Sequence, residues 1–196
     1  MSERKNVLLA GDSISMGYGP GVRERLCETC DVAILPDNGG TSRNLLAHLD
    51  EWFLLPGFDL IHLNCGLHDV ARDRGADGQR VALEQYGSNL RDIFHRLRQE
   101  TGALLAWATT TPVIDKRHSA RKGFDRYEED VQAYNAVALR LAREAVLPVN
   151  DLHRVIERSG PESAIGPDGV HMTEAGNEAL ADAVAEFISR LIPRPG

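Results

Sequence analysis

The sequence predicts an α/β protein whose helices cover both faces of a central, mainly parallel, five-stranded sheet. Short apolar runs alternate along the chain with segments whose apolar residues recur at helical spacing, which is the pattern of βαβ units. The 196 residues, 42% hydrophobic and 26% charged, suit one globular core. We therefore expect a single domain over residues 1–196, built as a three-layer α/β/α sandwich of the flavodoxin-like type.

Each predicted strand is short, apolar and bounded by Gly, Pro or Asp, as strands buried on both faces of a parallel sheet are. The predicted strands are residues 6–10, 31–35, 58–64, 103–109 and 146–150. Parallel neighbours need long crossover connections, so the gaps between these strands should contain helices.

Amphipathic stripes fill or follow these gaps. Thr41 or Ser42 can cap the first helix, Gly102 follows the second, and Pro193 should end the last. The apolar faces are Leu45, Leu46, Leu49, Trp52 and Phe53; Tyr86, Leu90, Ile93, Phe94 and Leu97; Tyr127, Val131, Tyr134, Ala138 and Leu141; and Leu180, Val184, Phe187, Ile188 and Leu191.

Charge and composition exclude several classes of function. The net charge of -7 argues against non-specific binding to nucleic acid or to an anionic membrane surface. No apolar stretch approaches the ~20 residues of a membrane span. Residues 1–5 lead directly into a strand and lack the apolar core of a secretion signal, so we expect a cytoplasmic protein.

The cysteines predict neither a disulfide framework nor a metal site. Cys27 and Cys30 form a Cys-x-x-Cys motif, and Cys65 stands alone. The motif could be redox-active or half of a zinc site, but no second pair completes a tetrahedral ligand set. We expect reduced thiols and no metal.

Three short motifs stand where parallel strands would end or where the last helix would begin. Residues 11–15 (Gly-Asp-Ser-Ile-Ser) follow the first strand, residues 66–69 (Gly-Leu-His-Asp) follow the third, and residues 168–171 (Asp-Gly-Val-His) precede the last helix. Each motif alone is also a common turn sequence. Because ligands of open parallel sheets bind at the carboxyl ends of the strands, their joint occurrence predicts one shared site.

The residue types at these positions suit nucleophilic catalysis. The hydroxyl of Ser13 is a weak nucleophile and needs an adjacent base, which His171 can supply. Asp168 can fix the tautomer of that imidazole. The developing oxyanion needs donors, and the candidates are the backbone N–H of Ser13 and the glycine pair 39–40, where backbone can approach a ligand closely.

The first motif resembles the opening block of the GDSL esterases, also called SGNH hydrolases. Residues 168–177 (Asp-Gly-Val-His-Met-Thr-Glu-Ala-Gly-Asn) resemble their last block, and the order and spacing agree along the whole chain. The resemblance implies a nucleophilic Ser13, a base His171 and its partner Asp168. It also implies an oxyanion hole from Ser13 and a loop glycine, for which Gly40 is our choice and Gly39 the near alternative.

The third motif departs from the family pattern, which is Gly-x-Asn-Asp with an oxyanion-binding asparagine. Here the position of that asparagine is taken by His68, whose neutral ring can also donate one N–H. We therefore assign His68 to the oxyanion hole. Asp12 and Asp69 are expected to support the site by bonding nearby backbone. The other histidines share no metal-ligand spacing.

The sequence says less about the acyl group and the alcohol of the substrate than about the catalytic residues. Residues 70–79 and 112–126 follow strands and should shape the pocket. The second segment carries a basic cluster, which can meet an anionic substrate or be a solvated loop balanced by neighbouring acids. The cluster is Lys116, Arg117, His118, Arg121, Lys122 and Arg126, and the acids are Asp125, Glu128, Glu129 and Asp130.

No long lid rich in Leu and Phe is present, which disfavours a long-chain lipase. We expect a serine ester hydrolase that removes a short acyl group, acetyl above all, from a carbohydrate or similar polar alcohol, without a cofactor. The alternatives are an acyl-CoA thioesterase or lysophospholipase, an acyltransferase, and a non-catalytic binding module on the same fold. A homo-oligomer is possible, since apolar helix faces do not reveal whether they are buried within one chain or between two.

Overall fold

The computed structural model describes residues 4–54, 57–119 and 123–192. Its strands are β1 Lys5–Ala10, β2 Cys30–Ile34, β3 Leu60–Leu63, β4 Arg72–Asp73, β5 Leu104–Ala108, β6 Phe124–Asp125 and β7 Val149–Asn150. Its helices are α1 Ser13–Arg25, α2 Ser42–Ala47, α3 Leu49–Trp52, α4 Leu83–Glu100, α5 Asp115–Ser119, α6 Glu128–Glu144, α7 Leu152–Ser159, α8 Pro161–Ala164 and α9 Glu174–Leu191.

The central sheet has the strand order β2-β1-β3-β5-β7, and every neighbouring pair is parallel. This is the flavodoxin-like order, in which the chain reverses direction across the sheet between β1 and β3. The predicted fold class is confirmed. A cleft opens at such a reversal because the connections on either side leave in opposite directions, so it lies beyond the carboxyl ends of β1 and β3.

Helices cover the two faces of the sheet. On one face α9 packs against α1 and α7, and on the other α4 packs against α2 and α6. The contact of α1 with α9 is close because α1 carries glycines there: a Cβ on Gly21 would lie 2.9 Å from the Cβ of Ala181. The strands between the layers are buried, with β3 inaccessible over its whole length.

The last predicted strand, residues 146–150, is wrong in its length. Only Val149 and Asn150 pair with the sheet. Val146 is exposed and has a φ of 54°, which a β-branched residue rarely adopts, and Pro148 has no N–H to donate. The apolar run therefore contains a turn after α6 and then a short edge strand.

The first amphipathic helix is also interrupted. Thr41 caps α2 by accepting a hydrogen bond from the N–H of Asn44, and Ser42 is the first helical residue. His48 has non-helical torsions and separates α2 from α3, although Leu45 and Leu49 on either side are both buried. The predicted apolar face therefore holds, but two short helices carry it.

A small antiparallel ribbon, β4 paired with β6, was not predicted. It joins the two long connections that leave the ends of β3 and β5. No helix among the described residues is long and apolar enough to cross a membrane. Pro193, the predicted end of α9, lies outside the described residues, as do Arg121 and Lys122 of the basic cluster.

Candidate active site

Ser13 stands at the start of α1, directly beyond the end of β1. Asp12 caps this helix, because its Oδ1 accepts a hydrogen bond of 2.9 Å from the N–H of Ile14. The Asp12 side chain is buried, and its Oδ2 has no hydrogen-bond partner among the described residues. Since the first N–H groups of a helix lack intrahelical acceptors, the Ser13 amide is available to bind an anion there.

Asp168 and His171 lie on a tight loop between α8 and α9. A bridge between Ile165 and Met172 closes the loop, and the N–H of Gly166 donates to the carbonyl of His171. Gly169 has a φ of 77°, and a Cβ there would lie 2.6 Å from the carbonyl oxygen of Ile114. Only glycine fits this position, which presses the loop against the start of α5.

Ser13, His171 and Asp168 form a continuous chain of side-chain contacts. The Ser13 Oγ lies 2.9 Å from His171 Nε2, and His171 Nδ1 lies 2.6 Å from Asp168 Oδ2. Asp168 Oδ1 accepts the backbone N–H groups of Val170 and His171. Partial burial alone would raise the pKa of Asp168, but these hydrogen bonds lower it to about 2, so the carboxylate is ionised at neutral pH.

The loop before α2 presents two glycine amides with different partners. The N–H of Gly39 donates to the backbone carbonyl of Gly11 at 2.9 Å, inside the fold. The N–H of Gly40, at a φ of 63°, donates to the side chain of Asn38 at 2.9 Å. Because Asn38 is exposed, a ligand oxygen can replace it more easily than the Gly11 carbonyl.

Asp69 joins the turn after β3 to the start of α2. Its carboxylate accepts hydrogen bonds from the N–H and the hydroxyl of Ser42, and Asn89 of α4 donates to that hydroxyl. Burial raises the pKa of Asp69 to about 7, although the hydrogen bonds from Ser42 oppose the shift. The side chain holds the glycine loop in place from within the protein and does not face solvent.

His68 directly precedes Asp69 in the turn after β3 and is partly buried. Burial lowers its pKa; Asp12 opposes the shift, whereas Arg126, Arg80 and His171 add to it. The ring is therefore neutral at pH 7, with one N–H to donate, and it lies within electrostatic range of His171.

The basic cluster does not form one exposed surface. Arg117 bonds the side chain of Glu162 and the carbonyl of Ile165, His118 is buried with its Nδ1 3.2 Å from the carbonyl oxygen of Asp168, and Arg126 is buried. Two of the neighbouring acids also pair with residues outside the cluster. Glu128 contacts His153, and Asp130 bonds Arg72.

Sequence reasoning named Ser42 as a possible helix cap and His118 in the basic cluster, but it missed the supporting contacts of Ser42, Asn89 and His118. Their partners lie tens of residues away, and no local spacing links them. The cysteines Cys27, Cys30 and Cys65 are free thiols. No group of three His, Cys, Asp or Glu side chains in the described ranges could hold a metal ion.

Comparison with known proteins identifies the family. The family model of the GDSL-like lipase/acylhydrolase family matches residues 9–179. The chain belongs to this family. It is a carboxylic ester hydrolase of the SGNH superfamily.

The similarity to known proteins extends over most of this chain and most of each relative. A mouse protein named isoamyl acetate-hydrolyzing esterase 1 homolog is 27% identical over 192 residues, which span 89% of this chain and 77% of the relative. The lipase/acylhydrolase of Enterococcus faecalis has a similar structure, with a TM-score of 0.80 and 19% identity. The match covers 95% of this chain and 96% of the Enterococcus faecalis chain. An acetylxylan esterase of Geobacillus stearothermophilus has a TM-score of 0.73, 20% identity and coverage of 94% of both chains.

Proposed function

We propose that this ester hydrolase removes a short acyl group, acetyl above all, from a carbohydrate or similar polar alcohol through an acyl-enzyme on Ser13. The observation that carries the proposal is the chain of contacts from Ser13 Oγ to His171 Nε2 at 2.9 Å and from His171 Nδ1 to Asp168 Oδ2 at 2.6 Å. This arrangement gives a serine hydroxyl a base, and it gives the base a fixed orientation.

In the acylation step, Ser13 Oγ attacks the ester carbonyl carbon while its proton passes to His171 Nε2. The resulting imidazolium is stabilised by Asp168, which stays ionised because its pKa is about 2. The tetrahedral intermediate then expels the alcohol, which takes the proton from His171. The acyl group remains on Ser13 as an ester.

We propose three donors for the developing oxyanion. The Ser13 amide is at the helix N-terminus, the Gly40 amide is at the adjacent loop, and His68 offers a ring N–H. Each such donor contributes roughly 3 kcal/mol of transition-state stabilisation where it has been tested. Gly40 is preferred over Gly39 because its present partner is an exposed side chain.

In the deacylation step, water attacks the acyl carbonyl and gives its proton to His171. The acid leaves and Ser13 regains its hydroxyl proton. Every proton in this cycle has a donor and an acceptor among the side chains, the substrate and water, so we propose that no metal ion or organic cofactor takes part.

The short acyl group and polar alcohol are proposed from the surroundings of the site. The connection after β3 carries two ion pairs, Arg80 with Asp73 within the connection and Arg72 with Asp130 of α6. A surface of this kind suits hydroxyl-rich molecules better than long acyl chains. The mouse relative is named for the hydrolysis of an acetate ester.

A chain-length series tests this proposal. We expect p-nitrophenyl acetate to be hydrolysed faster than the butyrate, octanoate and palmitate, and Ser13→Ala to lower kcat by at least about 10⁴-fold without changing the melting temperature. Acetylated sugars would be measured next. A preference for long chains would replace the proposed substrate with a thioester or a lysophospholipid, and full activity in Ser13→Ala would refute the acyl-enzyme.

A further inference from the structure

Arg126 is a buried cation with no carboxylate partner among the described residues. Only 5% of its surface is exposed. Its Nε donates to the backbone carbonyl of Leu67, and its guanidinium carbon lies 4.9 Å from the centre of the Phe124 ring. In the part of the chain that the structure describes, its Nη1 and Nη2 atoms donate to no other residue.

Two arginines on or near the ribbon are different, because each binds a carboxylate. Arg72 binds both carboxylate oxygens of Asp130 at 2.8 Å, and Arg80 binds both oxygens of Asp73. Arg80 also stacks on Phe124, at 4.5 Å from the ring centre. Arg126 therefore differs from these two arginines in lacking an ion pair within the described ranges and in being more deeply buried, since their side chains are 36% and 31% exposed.

Arg126 is also linked to the candidate site through the turn after β3 and through its charge. Leu67, whose carbonyl it binds, directly precedes His68, and the charge of Arg126 acts on both His68 and Asp168. Burial lowers the pKa of Arg126 to about 10, against the attraction of Asp12. The side chain is thus a cation at neutral pH, and its Nη1 and Nη2 atoms have no acceptor among the described residues.

A buried guanidinium without a paired anion is costly, because its desolvation is not offset by a close opposite charge. Asp12 and Asp168 offset part of that cost from a distance, but neither lies within ion-pair range. The planar fork of arginine matches the oxygens of a carboxylate or a phosphate.

We propose that Arg126 binds an anionic group, a carboxylate or a phosphate, carried by the ester that this enzyme hydrolyses. The inference rests on the proposed function, since it assigns a substrate class to the Ser13 site. It makes Arg126 a specificity-determining residue. In this role the hydrogen bond from Arg126 to the Leu67 carbonyl holds the guanidinium in place while the substrate anion binds it. A role confined to positioning the turn of His68 would give no discrimination between charged and neutral esters.

Two matched pairs of esters test the proposal on the intact enzyme. In the first pair, 3-acetoxybenzoate and 3-acetoxybenzamide, the anion is on the alcohol. In the second pair, mono-4-nitrophenyl adipate and 4-nitrophenyl hexanoate, it is on the acyl group. We expect kcat/KM to favour the anionic member of one pair by about tenfold or more, as a charged hydrogen-bonded contact would.

The variants isolate the contribution of Arg126. We expect Arg126→Gln to reduce this preference to less than about twofold and Arg126→Lys to keep part of it, since the charge remains but the fork is lost. Arg80→Gln is the matched control; its guanidinium is already bound to Asp73, so the preference should persist. The readout is the ratio of kcat/KM for the anionic ester to kcat/KM for the neutral ester of the same pair. General damage to the site lowers both values and leaves their ratio unchanged.

Two results would overturn the inference. One is wild-type enzyme that hydrolyses all the esters through Ser13 with no anionic preference in either pair. The other is an anionic preference that survives in Arg126→Gln. If Arg126→Gln does not fold, Arg126→Lys and the wild-type ratio still decide. In contrast, loss of the proposed function itself would show as failure of the wild type to hydrolyse any of these esters.

Discussion

At the scale of single residues, a few side chains of the candidate site are proposed to carry the chemistry, and a larger number of residues hold them in place. Ser13, Asp168 and His171 are legible in the sequence because each belongs to a short motif. Their distances depend on others, such as Gly169, which lets the Asp168 loop press against α5. Asp12 supports the site in two ways. It caps α1, and its buried carboxylate acts electrostatically on His68.

His68 is the residue where this chain departs most from the family pattern. We expect His68→Ala to lower kcat by about 10²–10³-fold with little change in KM, because the lost N–H would bind the oxyanion and not the ground-state ester. His68→Asn should recover much of kcat, since an amide also donates. Steady-state kinetics on p-nitrophenyl acetate, with melting temperatures as a check on folding, measures this. Equal kcat in all three proteins would remove His68 from the oxyanion hole.

At the scale of elements, the sequence predicted the existence of strands and helices better than their ends. The five sheet strands all appear, because buried parallel strands leave continuous apolar runs. The ribbon of β4 and β6 could not be predicted, since two residues per strand give no periodicity. The break at His48 was also hidden, because the apolar spacing of Leu45 and Leu49 continues through it.

The link between the β3 turn and α2 should make stability depend on pH through Asp69. Its folded-state pKa of about 7 lies above the unfolded value of about 3.9, so between these pH values the folded state holds a proton that the unfolded state has released. The contribution of Asp69 to stability is therefore full below about pH 4 and falls as the pH rises towards about 7.

Thermal melting at pH 5 and pH 8 measures this effect against a matched variant. The melting temperature of the wild type should fall more between the two pH values than that of Asp69→Asn, which cannot titrate but keeps an acceptor for the Ser42 N–H. Identical pH dependence in the two proteins would show that Asp69 is ionised in the fold throughout this range.

At the scale of the whole molecule, the fold explains why distant residues meet. The strand order places β1 and β3 on the two sides of the chain reversal, so the elements that carry Ser13 and His68 end at the same cleft. The loop before α9 brings Asp168 and His171 to that cleft from the other end of the chain. This convergence could be predicted from the alternation of strands and helices. The buried position of Arg126 could not, since its partners are set by tertiary packing.

The central claim is that Ser13 carries the acyl group during turnover. The most direct measurement is the mass of the enzyme after acid quenching of its reaction with p-nitrophenyl acetate, followed by peptide mapping. We expect the added mass of one acetyl group on the peptide that contains Ser13, and none in Ser13→Ala. An acetyl group on a different residue, or hydrolysis without any acylated enzyme in the presteady state, would contradict the account.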